Sequence, residues 1–76
     1  MSDTNRFVTQ NLYQAAYCLC RGFQLTGKQR EGVKASVIFE GERVAEEAMR
    51  FYNHGTVEAK AYSDAYRTLK DYVFER

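Results

Sequence analysis

Between Thr9 and Arg21 apolar residues recur at Leu12, Ala15, Ala16 and Leu19, the three-and-four spacing of a helix with one buried stripe. Tyr13, Tyr17 and Cys20 widen the stripe. Thr9 is placed to cap this helix by accepting from a free first-turn amide, and Gly22 stands where a left-handed residue closes a helix. Phe23, one step on, is expected to fold back over the last turn. Beyond Gly22 the period falls to two. Phe23 and Leu25 alternate with Gln24 and Thr26, then Val33, Ala35, Val37 and Phe39 alternate with Lys34, Ser36, Ile38 and Glu40. One apolar row per strand and a glycine in Arg30-Glu31-Gly32 predict two strands of a hairpin joined by a short turn. Gly41 ends the second strand.

From Glu42 the helical period returns at Val44, Ala45, Ala48, Met49, Phe51 and Tyr52, with Glu42, Glu46 and Glu47 near the amino end, where the helix dipole favours acids. Asn53-His54-Gly55 stops this second helix. A third is predicted from about Val57, capped by Thr56, with Ala59, Tyr62, Tyr66, Leu69 and Val73 on its stripe. The reading is an α+β fold of order α-β-β-α-α, a two-stranded antiparallel hairpin packed against three helices. With no proline, no low-complexity run and no internal repeat, residues 1–76 form one domain.

Four segments, NLYQAAYCLCRGF, VIFEG, RFYNHG and AYRTLKDYVF, together resemble a family of short uncharacterised bacterial and prophage proteins. In that family an apolar helix ends in glycine before a strand, a tyrosine and a glycine close the second helix, and Leu-Lys stands near the end of the last. The resemblance spans nearly the whole chain. It implies the same α-β-β-α-α arrangement and a bacterial or phage context, and it brings no catalytic residue with it.

Composition sets the scale of the object. The chain has 76 residues, 45% of them hydrophobic and 28% charged, the mixture of an ordinary folded domain. A domain this small buries only about 60% of its unfolded surface, and its net stability is on the order of 4 to 11 kcal/mol. The formal charge of +1 supplies no global attraction to nucleic acid or to an anionic membrane. The charge is mildly uneven: residues 1–38 carry five basic against two acidic side chains, a net +3, and residues 39–76 carry six against eight, a net −2. The opening MSDTNRF lacks the apolar run of a signal peptide, and no stretch approaches a membrane span, so a cytoplasmic location is expected.

Candidate chemistry is sparse. Cys18 and Cys20 lie about 200° apart around a helix axis, too far round to pair with each other. With a single histidine in the chain they build neither a zinc quartet nor a disulfide framework, so no metal or other cofactor is expected. Both thiols read as small buried hydrophobes, Cys20 in particular. His54 falls at a helix stop and reads as structural. Glu42, Glu46 and Glu47 read as dipole partners rather than as an acid pair. Gly22, Gly27 and Gly32 lack phosphate-cradling spacing. Catalysis and a small-molecule substrate are not expected.

The hairpin holds what remains. Arg21, Lys28, Arg30 and Lys34 against Glu31 concentrate a net +3 there, a set able to touch nucleic-acid phosphates or merely to keep a turn solvated. The tyrosines could stack on bases, but Tyr62 and Tyr66 fall on an inward stripe, which favours core filling. A bare two-stranded ribbon is marginal in water, and its edges attract another strand. Ile38, pointing outward with Lys34 and Ser36, is an apolar residue in a polar row. The favoured function is accordingly protein–protein contact through Lys34, Ser36 and Ile38, with a second copy as homodimer or with a host or phage protein. Weak nucleic-acid binding through Arg21, Lys28, Arg30 and Lys34 is the alternative.

Overall fold

A computed structural model describes residues 5–53 and 55–74. The chain order is β1 (Arg6–Thr9), α1 (Leu12–Cys20), β2 (Gln24–Glu31), β3 (Lys34–Glu40), α2 (Val44–Met49), a 3₁₀ turn (Arg50–Tyr52) and α3 (Ala59–Val73). The class is α+β, as the hydrophobic pattern implies, but the sheet has three antiparallel strands rather than two, in the order β1-β3-β2. The extra strand comes first in sequence. Arg6, Phe7, Val8 and Thr9 pair with Glu40, Phe39, Ile38 and Val37, closing the margin of β3 that a bare hairpin leaves open.

This strand displaces Thr9 from its expected place as a helix cap. Asn11 takes that role: its Oδ1 accepts from the amides of Tyr13 at 3.0 Å and Gln14 at 3.4 Å, two of the orphan donors of the first turn. The other end of α1 behaves as expected. Gly22 adopts φ +92, its amide donates to the Leu19 carbonyl and that of Phe23 to the Cys18 carbonyl, the two reverse bonds of a Schellman closure. Phe23 then packs against the core.

The hairpin turn is tighter than Arg30-Glu31-Gly32 suggests. Glu31 pairs with Lys34, so only Gly32 and Val33 lie between the strands. Gly32 has φ +61, the glycine-first arrangement that follows the right-handed strand twist. Val33 is therefore expelled from the inward row assigned to it and is 97% exposed at the tip. The remaining apolar row of β3 lies as its alternation requires, with Val37 and Phe39 buried and Ala35 packed at their border.

The helices supply the other layer. Leu69 and Val73 of α3 and Ala15, Ala16 and Cys18 of α1 close over Val37 and Phe39, and Val44 and Ala48 of α2 complete the cluster. Small residues on α1 let α3 approach, while the Tyr62 hydroxyl donates to the Tyr13 carbonyl at 3.0 Å. α3 starts at Ala59 with Glu58 at its cap position, two residues later than Val57 and without a side-chain bond from Thr56. Asn53-His54-Gly55 is the expected stop after α2; of its members, His54 lies outside the described residues.

Candidate functional site

The sheet has one covered and one open face. On the covered face Phe7, Leu25, Ala35, Val37 and Phe39 meet the helices. On the open face, Ile38 stands between Val8 on β1 and Gly27 on β2. Val8 is 41% exposed and Ile38 half-buried. Above this apolar row lie Arg6, Glu40 and Gln24, which share one register line. Below it Gln10, Ser36, Gln29 and Lys34 line a shallow polar depression of about 190 Å³. Lys34, Ser36 and Ile38 thus share one surface, as alternation along β3 demands.

The edges of the sheet differ. β1 is short, whereas β2 runs for eight residues with, among the described residues, a single neighbour, which leaves its outer margin of amides and carbonyls without a strand partner there. Between Leu25 and Gly27 the register slips: these two residues face Phe39 and Ile38, consecutive on β3, and Thr26 is the extra residue of a bulge. The bulge resets which side chains point where. Beyond it Gly27 and Gln29 face outward beside Ile38 and Ser36, while Lys28 and Arg30 lie opposite Val37 and Ala35 on the helical side.

This placement separates the four basic residues read as one patch. Lys28 reaches over the Tyr72 ring at 4.6 Å from its centroid, and its ammonium donates to the Tyr72 carbonyl in the last turn of α3, where the dipole favours a cation. Arg30 is exposed beside it, with no ion pair among the described residues. Lys34 is on the opposite face. Arg21 is elsewhere altogether: its Nε is 3.1 Å from Glu47 Oε2, and its Nη1 donates to the Thr56 carbonyl. Glu47 also accepts from the Tyr17 hydroxyl at 3.2 Å, so it binds α1 to α2 and takes Arg21 out of the hairpin's field. Sequence spacing could not reveal this pairing, because Arg21 and Glu47 are distant in the chain and meet only through the α1–α2 packing.

Neither thiol is arranged for nucleophilic work. Cys18, not Cys20, is the fully buried one. Burial first and the Glu47 carboxylate second push its pKa up to about 12, away from the lowered value that activates a thiol. Cys20 is raised by the same kind of burial, with Glu58 adding to it. His54, the one imidazole, lies outside the described residues. Acidic residues Glu42, Glu46 and Glu47 border a cleft of about 380 Å³ with Phe23, Arg43 and Arg50, but the arginines are engaged there: Arg43 pairs with Glu46 at 2.8 Å and Arg50 lies 3.8 Å from Glu47.

The aromatic side chains are mainly structural. Tyr17 is buried, and Tyr62 and Tyr66 are half-buried on α3 as the stripe implies. Tyr13, 57% exposed, stacks on Tyr66 with centroids 5.0 Å apart and planes 11° from parallel. None of these rings lies on the open face of the sheet, where a single strand would need them for base stacking. No helix among the described residues is long and apolar enough to cross a membrane.

The sequence model of a family described as a domain of unknown function matches residues 4–75. No curated protein and no solved structure matches the chain.

Proposed function

The chain belongs to DUF5659, a family defined without a function, and from its surface we propose that it is a non-catalytic interaction module that binds another protein by taking an extended segment onto β2. The observation that carries this reading is the margin of β2: eight residues of strand that, among the described residues, are paired on one side only, in a sheet whose helices all pack on one face. An added strand satisfies the orphan backbone groups along that margin and extends the apolar row of Val8 and Ile38 on the open face. Main-chain bonds supply the affinity, and side chains on alternate positions supply the choice of partner.

A foreign strand fits this edge better than a second copy of β2. Two-fold pairing centred on Lys28 or Gln29 sets cation against cation across the new ladder, and pairing centred on Gly27 has to run over the Thr26 bulge. Like charges directly opposite destabilise a strand pair, and edge cations and bulges are common guards against self-association. The nucleic-acid reading is less supported, because Arg21 is committed to Glu47 and Lys34 points away from Lys28 and Arg30.

Peptide display tests the proposal with the partner still unidentified. Random linear peptides panned against the folded protein should return binders that shift the backbone amide resonances of Gln24–Glu31 before those of α1 and α3. Binders that map onto the α1–α3 surface, or a library that returns none, overturn it.

A further inference from the structure

We infer that the segment accepted by β2 is acidic, with carboxylates on every second residue, the row that faces the helices. The inference rests on the strand-addition reading and adds the chemistry of the partner. Lys28 and Arg30 stand two residues apart and so share one side of β2, and because Thr26 absorbs one residue that side is the helical one, opposite Val37 and Ala35. That spacing is about 6.6 Å along a strand. A strand added antiparallel to β2 presents its own side chains at the same interval, with directly opposed Cβ atoms about 4.5 to 5.5 Å away.

The charge on this row is of one sign and is available. Among the described residues Lys28 spends one of its three donors, on the Tyr72 carbonyl. Arg30 is exposed, with no ion pair among the described residues, and its planar guanidinium suits a carboxylate in two-pronged contact. The opposite row of the same strand, Gln24, Gly27, Gln29 and Glu31, carries no cation, and its one charged residue is the acid next to the turn. One face of the incoming strand is therefore selected for negative charge, and the other only for extended geometry and small or amide-bearing side chains. Lys28 is also fixed in place by the Tyr72 ring beneath it, so ordering it in the complex costs little further freedom.

The test uses peptides of about six residues, the usual strand length, made of alternating threonine with glutamate, glutamine or lysine. Binding is read by anisotropy and mapped by amide shifts. The glutamate peptide should bind tightest, shift Gly27–Glu31, and weaken as salt rises. Arg30→Glu, at a side chain with no ion pair among the described residues, should weaken it by roughly fivefold or more and should bring the lysine peptide in at the same amides. Equal binding of the glutamate and glutamine peptides at β2 overturns the acidic preference and leaves strand addition standing. No binding of any peptide at about 1 mM, the weak end of measurable affinity, overturns both. A single-stranded oligonucleotide that shifts the same amides at lower concentration than the glutamate peptide overturns the inference in favour of phosphate contact.

Discussion

At the scale of single residues, the backbone decides more than charge does. Gly55 follows the 3₁₀ turn at a point where a Cβ atom would run into the Tyr17 hydroxyl and come within 2.6 Å of the Arg50 carbonyl oxygen. The Gly55 amide also donates to that carbonyl at 2.8 Å, so the chain is pinned there and has no room to yield. Gly27 is the contrasting case. A Cβ there lies 3.7 Å from Ile38 Cδ1, an ordinary contact on an open face. Gly55→Ala should therefore cost about 1 to 3 kcal/mol, the usual range for forcing atoms into packed space. Gly27→Ala should be neutral or slightly stabilising, because alanine loses less backbone entropy in a strand. Urea midpoints of the two variants measure the difference; equal midpoints would show that Tyr17 swings aside and that the crowding at Gly55 is not rigid. Gln14 makes the same point with a polar side chain. It is buried, donates to the Ala48 carbonyl at 2.9 Å and accepts from Thr9 Oγ1 at 3.3 Å, so one amide joins α1, α2 and β1.

At the scale of elements, what was legible in the sequence followed from period and glycine, and what was not followed from counts that slip by one. The end of α1 was readable because Gly22 has a local steric reason to be there. The inward row Ala35, Val37, Phe39 was readable because β3 is regular. β1 was not, because Arg6–Thr9 is too short to show an alternation, and its Thr9 imitates a helix cap. Asn11 with Gln14 three residues on carries the pattern of a capping box and marked the true helix start, although Gln14 uses its side chain elsewhere. The bulge at Thr26 was hidden for a related reason: an extra residue leaves no trace in composition, yet it decides that Lys28 points to α3 rather than to the open face. Deleting Thr26 leaves Leu25 opposite Phe39 and Gly27 opposite Ile38, so the ladder becomes regular with no side chain changing face. Deleting Gln29 also lets the ladder close, but it moves Thr26 opposite Ile38 and turns Lys28 outward, breaking its contact with Tyr72. The first deletion should keep the urea midpoint near that of the parent. The second should lower stability by about 1 kcal/mol, the scale of one side-chain hydrogen bond and a cation on a helix end. The reverse order of stabilities would mean that the bulge itself, through Thr26 Oγ1 and the Ile38 carbonyl at 3.4 Å, anchors the hairpin.

For the whole molecule, the thin core concentrates weakly acidic groups, and their protons are part of its stability. Cys18 is raised from 9.0 to about 12, chiefly by burial and then by Glu47. Tyr17 is raised by burial, by its hydrogen bond to Glu47 and by that carboxylate's charge, against the opposing pull of Arg21 and Arg50. Cys20 and Tyr62 are raised mainly by burial, and Tyr66 mainly by a hydrogen bond with Tyr13. All five shifts have one sign. Each group holds its proton more tightly folded than unfolded, so its contribution is complete below the unfolded pKa and disappears as pH rises through the folded one. The groups lie in separate parts of α1 and α3 but share one packed layer, and that makes alkaline lability a property of the domain rather than of any residue. The urea midpoint should be level from neutral pH to just below the ordinary thiol value of 9.0, then fall steadily toward about pH 12. Cys18→Ala removes the thiol that burial pushes up to about 12 together with some core packing, so it should lower the midpoint at pH 7 and flatten the decline above pH 9. A parent curve that stays level to pH 11 would mean that the layer admits water around Cys18. Parallel parent and variant curves would instead place the alkaline loss in Cys20 and the tyrosines, and flattening by Tyr17→Phe, which deletes the buried hydroxyl facing Glu47, would assign it to Tyr17.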